Sequence, residues 1–281
     1  MSPEPAVMAT LKGLARDFLP PIAVRFYSRR RRNQNKGDYP TWQAAARVTQ
    51  GYGNPSILAA VQEATRKVVR GEAKYERDQV LFNDDVKRWP VIGALLRQAL
   101  TEPPGKPLGV MDFGGSLGST YYQIRDVVEE VVKLRWVVID QETFVAAGQA
   151  EFATENLCFR ASIGECVSQD DPSVALLSSV LPFLEEPYVV LEEILAAGLQ
   201  TIIIDRTPLV EGSKDRLTVQ YVPENLGGGS YPAWFLSRGK LEAIVRNDYR
   251  ILSTFEALDG TWRLSEPFDL APSLGYVLVK K

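Results

Sequence analysis

The 281-residue sequence contains no histidine. That absence excludes Ser-His-Asp triads, Cys-His dyads and histidine-ligated metal sites, and no metal is expected. Cysteine is almost as scarce. Cys158 and Cys166 make neither a metal cage by themselves nor a disulfide framework, and they suit a reducing, cytoplasmic setting. No apolar run approaches the ~18–20 residues that cross a bilayer. The N-terminal stretch lacks the long apolar core and small-residue cleavage site of a secretory signal. Positive charge is also in deficit beyond the start of the chain. Residues 1–40 hold eight Lys/Arg against three Asp/Glu, and the remainder holds 24 against 32. A body of net negative charge is a poor match for wrapping nucleic acid, so no nucleic-acid partner is expected.

What is present suffices for a large core, since 45 % of residues are hydrophobic. Residues 1–40 read as a basic amphipathic tail. Within 8–32, Leu11, Leu14, Ala15 and Phe18 share one helical face ahead of Pro20-Pro21 and the run Arg29 to Arg32. This stretch is a candidate for peripheral contact with anionic lipid at the inner membrane face. The alternative is an ordinary docked helix with a solvated basic end. Residues 41–104 read as a helical cap. Helical patterns cover 42–71, punctuated by a turn at 51–55, with Ser56 capping 57–69, and a further helix is predicted at 91–100. Glu102-Pro103-Pro104-Gly105 is the clearest linker in the chain.

From 105 to 281 strands alternate with helices. Strands are predicted at 108–113, 134–139, 157–159, 174–177 and 201–204, with helices at 120–132, 144–152 and 187–197. That alternation means a parallel sheet covered on both faces. The stretches 251–258 and 275–279 have no helical pattern between them and should pair antiparallel. The expected fold is α/β: a Rossmann-like, doubly wound, mostly parallel sheet with an antiparallel C-terminal strand pair, plus the N-terminal helical cap.

The strongest local motif is Asp112-Phe113-Gly114-Gly115-Ser116-Leu117-Gly118-Ser119, a strand running through a glycine-rich turn into a helix. A dinucleotide fingerprint counted from Gly114 would need glycine at 116 and 119, where serines stand. The spacing Asp-x-Gly-Gly-x-x-Gly fits better with the first motif of class I S-adenosylmethionine-dependent methyltransferases. Asp140 closes the second strand, where an acidic residue accepts both hydroxyls of a ribose. An aspartate capping the next helix is the alternative. Gln141 follows it, Phe144 is a candidate to flank an adenine, and Ser162 to meet the adenine's amino edge.

These segments, with Trp136-Val137-Val138-Ile139-Asp140-Gln141 and Leu176-Leu177-Ser178-Ser179-Val180-Leu181, resemble one family. It comprises bacterial putative class I methyltransferases associated with surface-polysaccharide gene clusters. The likeness extends to Gly71-Glu72-Ala73-Lys74-Tyr75-Glu76-Arg77-Asp78 and Pro20-Pro21, and on to Asp205-Arg206-Thr207-Pro208 and Ser230-Tyr231-Pro232-Ala233-Trp234. The resemblance implies a class I methyltransferase fold with S-adenosylmethionine as cofactor, and the candidate residues to hold it are Asp112, Gly114, Gly115, Ser116, Gly118, Asp140, Gln141, Phe144, Ser162, Ser178 and Ser179. It names no acceptor.

For the acceptor, chemistry must argue. A hydroxyl needs a base and a neutral amine does not, and without histidine the candidates are carboxylates and tyrosines at the sheet's carboxyl edge. Asp205 as proton acceptor and Arg206 as a bidentate anchor are the first choice, against an Asp–Arg pair that only fixes the loop. Tyr75, Arg77 and Asp78 are candidates for a lid, as is Tyr231 beside Gly227-Gly228-Gly229; a helix-end network is the rival for the first three. Trp234 and Phe235 read as core. Ser178-Ser179-Val180-Leu181 lacks the Asn/Asp-Pro-Pro-Tyr of base and glutamine methyltransferases, which argues against those acceptors. The reading is methyl transfer to a hydroxyl or amine of a small molecule, with a sugar or glycan precursor implied by resemblance alone. The alternatives are a nicotinamide-dependent oxidoreductase on a related sheet and a non-catalytic scaffold on a methyltransferase fold.

Overall fold

A computed structural model describes residues 35–49, 55–84, 88–222, 229–265 and 268–281. The tail helix at 8–32, most of the turn at 51–55, and Gly227-Gly228 lie outside the described residues. The chain begins with β1 (Asn35–Lys36), α1 (Trp42–Ala46) and α2 (Pro55–Val69), followed by β2 (Tyr75–Arg77), β3 (Val80–Phe82) and α3 (Trp89–Ala99). Then come β4 (Leu108–Phe113), α4 (Ser119–Val128), β5 (Leu134–Ile139), α5 (Glu142–Glu151), β6 (Leu157–Arg160) and α6 (Ile163–Asp170). The chain continues through β7 (Val174–Ser178), α7 (Pro187–Ala196), β8 (Thr201–Val210), β9 (Arg216–Tyr221) and β10 (Ser230–Ser237). It closes with α8 (Arg238–Val245), β11 (Tyr249–Ser265) and β12 (Phe268–Lys280).

The main sheet runs β6-β5-β4-β7-β8-β12-β11. The first five strands are parallel, β12 is antiparallel to β8, and β11 is antiparallel to β12. This is the doubly wound, Rossmann-like sheet with an antiparallel ending that the sequence predicts. Its strands alternate between two apolar layers, as pleated strands buried on both faces must. Val110, Trp136 and Val138 face one layer with Val61, Leu95, Ile124 and Phe144. Met111, Val137 and Ile139 face the other with Leu191, Ile194 and Leu241. Helices α2 and α3 of the cap therefore share one core with the body. No helix among the described residues is long and apolar enough to cross a membrane.

Four expectations need amendment. The cap is not wholly helical, because β2 and β3 form an antiparallel hairpin across Asp78-Gln79. Residues 163–170 form a helix, capped by Ser162, whose hydroxyl accepts the Glu165 N–H at 3.2 Å. The fifth strand does not end at 204. It is ten residues long in all, because after pairing with β7 and β12 it turns aside to pair with β10 at Leu209 and Val210. Pro208 falls where the strand changes partners. Finally, β9 and β10 form an extra antiparallel ribbon, to which β1 adds an edge.

Candidate functional site

Strand order reverses between β4 and β7, so the elements leaving their carboxyl ends diverge and open a crevice. A cavity of about 480 Å³ occupies it, roofed by the β2–β3 hairpin and by Ile57 and Val61 of α2. Its floor is the glycine-rich turn. Gly114 and Gly118 have φ of +74° and +92°. A Cβ on Gly114 would come within 2.4 Å of Val180, and one on Gly115 within 2.5 Å of Asp112 Oδ2, so both positions exclude side chains. Ser116 adopts φ +57° without being glycine, a conformation that costs an ordinary residue free energy. Its N–H donates to Asp140 Oδ2 at 2.9 Å, and the Gln141 N–H donates to Oδ1 at 2.7 Å. The turn and the tip of β5 are thereby tied together.

Three carboxyls surround this turn. Burial raises the pKa of Asp140, opposed by the two backbone N–H groups. Asp112 is 1 % exposed and accepts from Trp136 Nε1 at 3.0 Å; burial pushes its carboxyl up to about 7. Glu76 of β2 is 2 % exposed, and burial pushes it to about 7 as well. It accepts from the hydroxyl of Ser119, the first residue of α4, and from the Gln79 N–H at 3.3 Å.

Behind the turn, Arg88 is buried and spans cap and sheet. It donates to Thr120 Oγ1 at 2.7 Å, to Ser178 Oγ at 2.8 Å and to the Asp205 carboxylate. Arg206, at φ +55°, donates from Nε to Asp259 Oδ2 at 2.9 Å and lies 3.7 Å from Asp78. It stands between the large cavity and a second one of about 150 Å³. The two share Asp78, Ser179, Phe183, Arg206 and Tyr231 as walls, and Trp234, Phe235 and Trp262 line only the smaller. Among the described residues no group of three or more Cys, Asp and Glu side chains is arranged to hold a metal ion.

Most of the residues expected at the site meet at the large cavity. Asp112, Gly114, Gly115, Ser116, Asp140 and Gln141 line it from β4 and β5, and Phe144 lines it from α5. Ser178, Ser179 and Arg206 line it from β7 and β8, Arg77 and Asp78 from the hairpin, and Tyr231 from β10. Four expected residues line neither cavity. Asp205 is 3 % exposed and held in a buried pair with Arg88. Gly118 opens α4, Ser162 caps α6, and Tyr75 stacks on Phe82 with ring centroids 5.0 Å apart. Residues that pattern reasoning passed over include Glu76, Arg88, Ser119, Asp259 and Trp262. Glu76 stood inside a recognised motif, but nothing local set it apart from its charged neighbours.

No protein-family model matches this sequence, and no curated protein matches it. Among solved structures the chain is similar to TnmH, at 17 % identity and TM-score 0.42, over 81 % of this chain and 59 % of that one. It is similar to the N-terminal domain of EvdMO1 in the presence of SAH and D-fucose, at 18 % identity and TM-score 0.43, over 79 % and 97 %. It is similar also to magnesium protoporphyrin IX methyltransferase (ChlM) from Synechocystis PCC 6803 with bound SAM, at 14 % identity and TM-score 0.41, over 82 % and 87 %. The chain thus spans less than two thirds of the length of the first of these.

Proposed function

We propose that the large cavity binds S-adenosylmethionine and that the protein transfers its methyl group to a small-molecule acceptor. The observation that carries this reading is the ring of carboxyls around the glycine turn. A pyrophosphate bound at a glycine turn uses the free N–H groups and positive end of the following helix. Here Glu76 already occupies the first residue of α4, and Asp112 lies directly beneath Gly115. A doubly negative dinucleotide bridge would meet carboxyls on two sides, whereas a ligand bearing ammonium and sulfonium groups is attracted by them. This disfavours the nicotinamide alternative.

On this reading Asp140 holds the ribose, Phe144 flanks the adenine, and Glu76 faces the ammonium of the methionine end. Arg77, whose guanidinium lies 5.1 Å over the Phe82 ring, is the candidate partner for the methionine carboxylate. When bound, the cofactor supplies an electrophilic methyl on a positively charged sulfur. The chain's own contribution is alignment and exclusion of water by the hairpin roof. The sugar or glycan acceptor rests only on the sequence resemblance.

Calorimetric titration tests the donor site directly. S-adenosylmethionine and S-adenosylhomocysteine should bind at micromolar concentrations, NADH should not, and Asp140→Ala should weaken both adenosyl ligands at least tenfold. NADH binding in their place would reverse the assignment. Donor binding without S-adenosylhomocysteine formation in the presence of cell extract would favour the scaffold.

A further inference from the structure

We propose that the smaller cavity is the acceptor subsite and that it selects an amine carried on a ring-sized scaffold, in preference to an alcohol or an acid. The inference rests on the donor occupying the larger cavity, and three observations support it.

The first is placement. The two cavities share Asp78, Ser179, Phe183, Arg206 and Tyr231 as common walls, so a group seated in the smaller one lies against the contents of the larger. The second is the combination of aromatic surface and charge. Phe183 and Tyr231 meet edge to face at 5.3 Å, and Trp234, Phe235 and Trp262 add further aromatic wall. The charged residues in that lining are Asp78, Asp259 and Arg206, two carboxylates against one guanidinium. Arg206 is engaged by Asp259 at 2.9 Å, so a carboxylate ligand finds its one cationic partner already paired. An ammonium is drawn both by the residual negative charge and by the ring faces.

The third is the position of the bases. An alcohol attacking a sulfonium methyl must lose its proton in the step, and a neutral amine need not. The chain has no histidine, Asp205 lines neither cavity and is bound to Arg88, and of the two carboxylates in the lining Asp259 accepts from Arg206 while Asp78 is turned to water. An incoming ammonium gives up one proton to water beside Asp78, whose side chain is 78 % exposed. The nitrogen lone pair then forms the new N–C bond while the S–C bonding electrons stay on sulfur. Sulfur becomes a neutral thioether, and the positive charge moves to the methylated nitrogen, again within the aromatic walls.

Ligand-observed NMR on the full chain at neutral pH tests this with cyclohexylammonium, cyclohexanol and cyclohexanecarboxylate, each with and without saturating S-adenosylhomocysteine. The amine should bind at least tenfold more tightly than either other probe. Asp78→Asn, which keeps a residue tolerant of the left-handed turn at φ +51°, should cut that preference to threefold or less. Trp262→Leu should weaken the amine about tenfold, and it should leave the affinity for S-adenosylhomocysteine within threefold because Trp262 lines the smaller cavity alone. Equal binding of the three probes, binding of none, or an amine affinity indifferent to both variants would overturn the proposal. Selective amine binding by a protein that ignores S-adenosylhomocysteine would overturn the donor assignment instead, and with it the acceptor role.

Discussion

Asp112 and Glu76 are acids kept out of water, and their titration should be visible in stability. Each has a folded pKa of about 7, against unfolded values near 4. Between these limits the native state binds more protons than the unfolded chain, so stability is present at low pH and falls as pH rises from about 4 to 7. Thermal unfolding should therefore occur at a higher temperature at pH 5 than at pH 7.5. Asp112→Asn should flatten that dependence by an amount on the order of 3 kcal/mol. An unchanged slope in the variant would mean that another group carries it. The two residues differ in how far sequence discloses them. Asp112 is legible because its spacing to the glycines is itself a motif. Glu76 is not, because Arg77 and Asp78 are equally polar neighbours and only the folding of β2 onto α4 selects it for burial.

At the scale of elements, β4 and β5 were legible to the residue. Both are short, mostly apolar stretches buried on two faces, interrupted only by Asp112 in the first and Arg135 in the second. The β2–β3 hairpin, β9 and the outer half of β8 were not. Their strands are short or mixed, and their pairing depends on partners distant in sequence. The contact between α5 and β6 shows how tightly a legible element can be constrained. A Cβ on Gly148 would lie 2.4 Å from the Phe159 ring. Gly148→Ala gains up to ~1 kcal/mol in helix propensity. It should nonetheless destabilise the protein by about 1–3 kcal/mol net through overpacking, measured by urea titration. A more stable variant would show that the helix can shift without cost.

At the scale of the whole molecule, residues of the cap and body share an apolar layer, and Arg88 joins the two at Asp205. Arg88→Ala leaves a buried carboxylate unpaired and should cost about 3–5 kcal/mol in chemical denaturation. Arg88→Met combined with Asp205→Asn should recover most of that loss. A double variant no better than the single one would assign the cost to lost packing alone. No sequence pattern announces this pair, since its members lie 117 positions apart. The division of labour along the chain has an evolutionary side. The floor of the larger cavity is the glycine-rich turn after β4, while the smaller one alone takes Gln220 from β9 and Ala233, Trp234 and Phe235 from β10. If the smaller cavity chooses the acceptor, a lineage could exchange that one ribbon and serve a different clientele while inheriting the same donor chemistry unaltered.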